Sequence, residues 1–86
     1  MRLVFSSRFV KKYRKLSTSL RGKTDDRLRI FILEPLHPLL DNHPLHGKYG
    51  DCRSISITGD VRAIYELLAE DLAYFITIGT HSELYE

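Results

Sequence analysis

Near the end of the chain a histidine, an aspartate, an arginine and a tyrosine fall in two short segments, Gly59-Asp60-Val61-Arg62-Ala63-Ile64-Tyr65 and Ile78-Gly79-Thr80-His81-Ser82-Glu83-Leu84-Tyr85. These side chains move protons and hold anions: imidazole gives or takes a proton near neutral pH, a carboxylate orients it, and guanidinium pairs with oxyanions. Each segment reads as a β-strand that delivers polar groups to one edge, and the second stops on Gly79 before a Thr-x-x-Glu helix start. The Thr80 hydroxyl is expected to cap that helix while Glu83 reaches back to the Thr80 amide, which leaves His81 at the first helical position. Unpaired amides and the helix dipole make those surroundings positive, favouring a neutral imidazole that is a ready proton acceptor or, once protonated, a stronger acid. Structural readings stand beside these. Asp60 directly after Thr58-Gly59 is also a common turn residue, and Arg62 on a polar strand face also reads as a solvated cation or one paired with a neighbour such as Glu66.

Leu3-Val4-Phe5 has strand composition and ends on Ser6-Ser7, either of which can cap a helix. That helix runs to about Leu16 with Phe9, Val10, Tyr13 and Leu16 on one face and Lys11, Lys12, Arg14 and Lys15 on the other. A second helix is predicted from about Ser19 to Glu34 through Leu20, Leu28, Phe31 and Ile32, ended by Pro35 and Pro38. Residues 35–51 form a long connection, and connections of that length are often functional. From Cys52 the period becomes two: Arg53, Ile55 and Ile57 alternate with Ser54, Ser56 and Thr58, then Val61, Ala63, Tyr65 and Leu67 with Asp60, Arg62, Ile64 and Glu66. After the Ala69-Glu70-Asp71 break, Leu72, Tyr74, Ile76 and Ile78 alternate with Ala73, Phe75 and Thr77. The expected fold is α+β: a short first strand, a two-helix hairpin, a three-stranded antiparallel meander and a short terminal helix (β-α-α-β-β-β-α) in one domain over residues 1–86. The helices should cover the apolar face, leaving Ser54, Ser56, Asp60, Arg62 and Phe75 on the other.

With 86 residues the chain has room for one compact core. No apolar run approaches the ~20 residues that cross a bilayer, so membrane insertion is not expected. The apolar start is too short for a signal-peptide core, and the single Cys52 cannot form an internal disulfide, which fits a reducing cytoplasm. Net charge is +2, but residues 1–48 hold eleven Lys/Arg against four Asp/Glu and residues 49–86 hold two against seven. The N-terminal surplus could present a basic helical surface to phosphates or to an acidic protein. His43-x-x-His46 with Asp41 or Cys52 has metal-ligand types but no clear fourth ligand, and no metal or cofactor is expected. Neither a phosphate-cradling glycine loop nor a Gly-x-Ser-x-Gly elbow occurs.

The element order, the segment Asn42-His43-Pro44-Leu45-His46-Gly47, the hairpin Ile57-Thr58-Gly59-Asp60-Val61-Arg62-Ala63-Ile64-Tyr65 and the ending Gly79-Thr80-His81-Ser82-Glu83-Leu84-Tyr85 together resemble the RelE/YafQ family of bacterial toxins. The resemblance covers nearly the whole chain. It implies the toxin of a type II toxin–antitoxin pair: an endoribonuclease that cuts messenger RNA in the ribosomal A site, contacts ribosomal RNA, and is silenced in a hetero-oligomer by a cognate antitoxin. By resemblance His43 matches the histidine of the family's His-Pro-Leu loop, Asp60 the aspartate opening the next strand, His81 the histidine of the Gly-Thr-His ending, and Tyr85 a late aromatic. Arg62 fits an arginine found in other members. Two positions depart from the YafQ-like pattern, with Ser56 in place of a histidine and Val61 in place of a tryptophan.

Cleavage of RNA through its own 2′-hydroxyl needs a base, an acid for the departing 5′-oxygen and cations for the phosphorane. His43 and His81 are the candidates for proton transfer, Asp60 for orienting a histidine or for proton transfer, and Arg62, helped by Arg53 or Lys48, for the phosphate. Tyr85 could stack a base or donate its hydroxyl. His46, Lys11, Lys12 and Lys15 are further RNA-binding candidates. Two rivals remain at this point: a ParE-like gyrase poison on the same fold, and a decayed toxin that binds antitoxin without cutting.

Overall fold

The computed structural model describes residues 1–85. Strand β1 (Arg2–Phe5) leads into helix α1 (Ser7–Lys15), and helix α2 (Thr18–Leu33) follows after two residues. Both starts are set by serine: Ser6 Oγ accepts from the Phe9 amide at 2.9 Å and Ser17 Oγ from the Leu20 amide at 3.1 Å. The helices therefore begin where the capping residues predict, with α2 entered at Thr18, one residue before Ser19. The 35–51 connection carries two 3-10 turns (Pro38–Leu40 and Gly47–Tyr49) and a two-residue strand, β2 (His43–Pro44). Strands β3 (Arg53–Ser56), β4 (Val61–Ala69) and β5 (Leu72–Thr80) and helix α3 (His81–Tyr85) complete the chain.

The sheet order is β1-β5-β4-β3-β2. The predicted meander β3-β4-β5 is antiparallel, but β1 adds to β5 in parallel, with Phe5 opposite Phe75, and β2 pairs with β3, with His43 opposite Ser54. A five-stranded mixed sheet results. The two helices cover one face around Phe9, Phe31, Tyr65 and Phe75, whose rings meet at 4.8–5.8 Å between centroids.

The expected display of Phe75 on the open face is corrected by this packing, for Phe75 is fully buried under the helices. A β-bulge is the cause. On β5 the partners step from Thr77 opposite Ile64 to Phe75 opposite Tyr65, leaving Ile76 as the extra residue. Ala73 and Phe75 thus face the helices on one side of the bulge and Ile78 does so on the other, whereas Ile76 turns to the opposite face. Nor is that opposite face bare. Leu45, Cys52, Ile64 and Leu84 form a second small core there, with Tyr49 and Ile76 against it, so the connection and α3 are anchored to the sheet by their own apolar residues. Among the described residues no helix is long and apolar enough to cross a membrane.

Candidate functional site

At the edge of the second core lies an open cleft of about 300 Å³ lined by His43, Leu45, Arg62, His81 and Tyr85. Three parts of the chain supply it. His43 comes from β2, which is held to Ser54 of β3; Arg62 comes from β4, opposite Ser56; and α3 delivers His81 and Tyr85.

The start of α3 is built as its sequence requires. The Thr80 amide donates to Glu83 Oε1 at 2.7 Å and the Glu83 amide to Thr80 Oγ1 at 3.3 Å, a complete capping box. The bonds from Thr80 hold the Glu83 carboxyl below the usual carboxylate range. The His81 amide donates to the Asp60 carbonyl at 3.2 Å, which ties α3 to the start of β4. Buried Leu84 pins the far side of the helix. One turn apart, the His81 and Tyr85 rings lie 4.7 Å apart at 52°, and Tyr85 meets the edge of Tyr49 at 6.1 Å. Lys48 Nζ sits 5.3 Å from the centroid of the Tyr49 ring and does not line the cleft itself.

Arg62 is the most firmly held group. Its side chain is only 14% exposed; Nε donates to Ser54 Oγ at 2.9 Å, Nη2 to the Asp41 carbonyl at 2.9 Å, and Nη1 lies 3.3 Å from Asp41 Oδ2. Ser54, expected on the displayed face, is fully buried beneath the guanidinium. Glu66 is not the partner. Four residues along a strand span roughly 13 Å, so the pairing distance familiar from helices does not carry over. His43 Nδ1 lies 2.9 Å from the same Asp41 carbonyl. A carbonyl only accepts, so this contact calls for a hydrogen on Nδ1, while Arg62 Nη2, which only donates, lies farther from Nδ1 at 3.4 Å; in that neutral tautomer Nε2 is the free acceptor.

Asp41 and its neighbour Asn42 are the residues that sequence reasoning passed over, Asp41 having entered only as a metal-ligand type. Asp41 ends the first 3-10 turn with φ 44°, a left-handed conformation that Asp and Asn tolerate better than most residues. Asn42 Nδ2 donates to the Pro35 carbonyl at 2.9 Å and to the Tyr65 hydroxyl at 2.7 Å, while its Oδ1 accepts from Arg53 Nε at 2.8 Å. One amide thereby fastens the connection to the sheet immediately beside Asp41 and His43. The signal was the Asp41-Asn42 pair itself, two turn-forming residues directly before the histidine.

The remaining expected residues are scattered. Arg53 does not face the cleft: strand alternation puts it on the side of Ile55 and Ile57, in an apolar groove with Leu33, Leu36 and Leu67. Asp60 is exposed immediately before β4 and does not line the cleft, and its carboxylate makes no hydrogen bond or ion pair among the described residues. His46 is exposed at the start of the second 3-10 turn. Lys12 and Lys15 line a shallow groove with Gly79 and Glu83, beside the start of α3, whereas Lys11 belongs to a patch with Val10 and Arg14. Ser56 Oγ donates to the Thr58 carbonyl at 2.8 Å, and Val61 is buried in the main core. Among the described residues no group of three or more His, Cys, Asp or Glu side chains is placed to hold a metal ion.

A family model described as "Bacterial toxin of type II toxin-antitoxin system, YafQ" matches residues 1–86. The structure of YafQ from E. coli BL21(DE3) is 25% identical, covers 100% of both chains and superposes with a TM-score of 0.79. The solution structure of HP0894 from Helicobacter pylori is 28% identical over 99% of each chain, with a TM-score of 0.74. The toxin fold also matches that in the E. coli DinJ-YafQ complex, at 24% identity over 100% of each chain and a TM-score of 0.76. No curated protein sequence matches the chain.

Proposed function

The chain belongs to the YafQ family of type II toxin–antitoxin toxins, and from that premise we propose that it is an endoribonuclease that cleaves messenger RNA on the ribosome and is neutralised by a cognate antitoxin. The observation that carries the reading is the convergence of His43, His81 and Arg62 on one cleft with Tyr85 beside them. In this reaction the 2′-hydroxyl attacks its own phosphate. His43 Nε2, left free by the Nδ1 contact to Asp41, takes the hydroxyl proton. His81, delivered to the same cleft by α3, gives a proton to the departing 5′-oxygen, and Arg62 stabilises the charge that builds on the phosphorane. Tyr85 stacks the adjoining base, and Asp60, through its carbonyl on the His81 amide, holds α3 in place. Lys12 and Lys15 continue the positive surface along which RNA would run. The antitoxin assignment draws on the solved complexes of DinJ with YafQ and YefM with YoeB.

The test is to map messenger RNA 5′ ends after induction. In-frame cuts leaving 5′-hydroxyl ends, lost in His81→Ala, are expected; intact messenger RNA with growth arrest would remove the nuclease reading. A second reading has one observation in its favour. Ser56 is tied to Thr58 and Val61 is buried, so neither replaces the missing histidine and tryptophan. A chain that binds antitoxin but neither cuts RNA nor slows growth would support it.

A further inference from the structure

The two partners of the Arg62–Asp41 ion pair are unequal. Arg62 is fixed by contacts that do not involve a carboxylate, to Ser54 Oγ and to the Asp41 carbonyl, with His43 Nδ1 3.4 Å from Nη2, and its side chain is 14% exposed. The Asp41 side chain is 71% exposed and meets Nη1 at 3.3 Å, longer than the ~2.7–2.9 Å of a strong charge-assisted bond. The cation is built in; the anion is loosely laid on it.

We propose that the Asp41 carboxylate is a displaceable occupant of the phosphate position: it sits on Arg62 while the cleft is empty and is exchanged for a phosphodiester oxygen when RNA binds. The proposal rests on reading the cleft as a phosphodiester site. Its departure disturbs little else. The backbone carbonyl of the same residue keeps both Arg62 Nη2 and His43 Nδ1 at 2.9 Å, whereas the carboxylate lies 3.9 Å from His43. An exposed side chain leaves such a pair at small cost. A ligand that offers Arg62 only one phosphate must still overcome the carboxylate. The carboxylate costs any ligand that displaces it the same free energy, so the exchange lowers affinity for polymer and free phosphate alike, and an extended strand offsets the loss through its further contacts along the cleft.

Asp41→Asn in the full chain is the appropriate variant, since Asn keeps the carbonyl and tolerates φ 44°; Asp41→Gly serves as a second variant that adopts this φ freely. Binding is read by fluorescence anisotropy with a single-stranded RNA carrying a 2′-deoxy residue against cleavage, and by NMR titration of the Arg62 Nε–H with inorganic phosphate. Both variants should bind each ligand about three- to tenfold more tightly, KM for cleavage should fall further than kcat changes, and the gain should vanish in an Arg62→Ala background. Unchanged or weaker binding, or the same gain without Arg62, overturns the exchange. RNA left intact by the unmodified chain together with tighter phosphate binding by Asp41→Asn sinks the nuclease reading and keeps the exchange. Cleavage with unaltered binding does the reverse.

Discussion

The two faces of the sheet are held by different forces. On the helix side, four aromatic rings and the aliphatic residues around them interlock, and the contacts are many and individually replaceable. On the cleft side a small core of four buried residues anchors the connection and α3, but the aim of each functional group depends on single polar links: Asn42 for the connection, Ser54 and Asp41 for Arg62, and the Thr80–Glu83 box for His81. Stability and chemistry are therefore separable in this molecule. Damage to the first face should unfold it, and damage to the second should leave a folded chain with misdirected groups.

Phe31→Ala should produce the largest change in stability. Removing a fully buried ring that touches Tyr65 and Phe75 is expected to cost about 3–5 kcal/mol in urea denaturation, and antitoxin binding should fail with the fold. His81→Ala should do the opposite, lowering cleavage about 10²–10⁴-fold while the midpoint of thermal unfolding stays put. If instead it melted early, the proposed separation of the faces would be wrong. Asn42→Ala tests the border between them. Arg53 Nε and the Tyr65 hydroxyl lose their partner, at about 1–3 kcal/mol, and cleavage should drop roughly tenfold in protein that is still folded, because the segment bearing Asp41 and His43 slackens.

The smallest effect is one of pH. The Glu83 carboxyl is held below its ordinary range by the Thr80 amide and hydroxyl. Its contribution is thus present above the unfolded-state carboxylate value and is lost as pH falls through the lower folded value. Solvent exposure keeps it below about 1 kcal/mol. Acid should loosen α3, seen as broadening of the Tyr85 NMR signals, and Glu83→Ala, which removes the oxygen that accepts from the Thr80 amide, should show the loosened state at neutral pH. Gly79→Ala reaches the same box from the other side, since an added Cβ would lie 3.1 Å from Glu83 Oε1. A sharp His81 signal in both variants at neutral pH would argue against the box as the support of the site.

What the sequence made legible follows from range. Ser6, Ser17 and the Thr80–Glu83 pair act on amides two or three residues away, so the helix starts could be read locally. Simple alternation puts Phe75 on the wrong face because one bulge residue, Ile76, reverses it, and β5 is apolar on both sides of that break. The parallel addition of β1 to β5 joins residues some 70 positions apart and left no local trace. In the cleft, the residues with reactive side chains were visible by type. The ones that aim them were not, because Asp41, Asn42 and Ser54 are ordinary turn and strand residues until the fold brings Arg62, Tyr65 and Arg53 to them.

The pairing of β1 with β5 also sets an order of events during synthesis. Residues 2–5 emerge first, yet their partners are residues 72–75, and the Ser6 amide and hydroxyl bond to the Phe75 and Ile76 carbonyls. Until the ribosome has made that strand, β1 has no sheet to join and α1 and α2 have no complete surface to cover. His81 follows only a few residues later. Any nascent chain that stops short of β5 and α3 therefore has neither the sheet that its first strand joins nor the cleft, so folding and the assembly of the site are completed together.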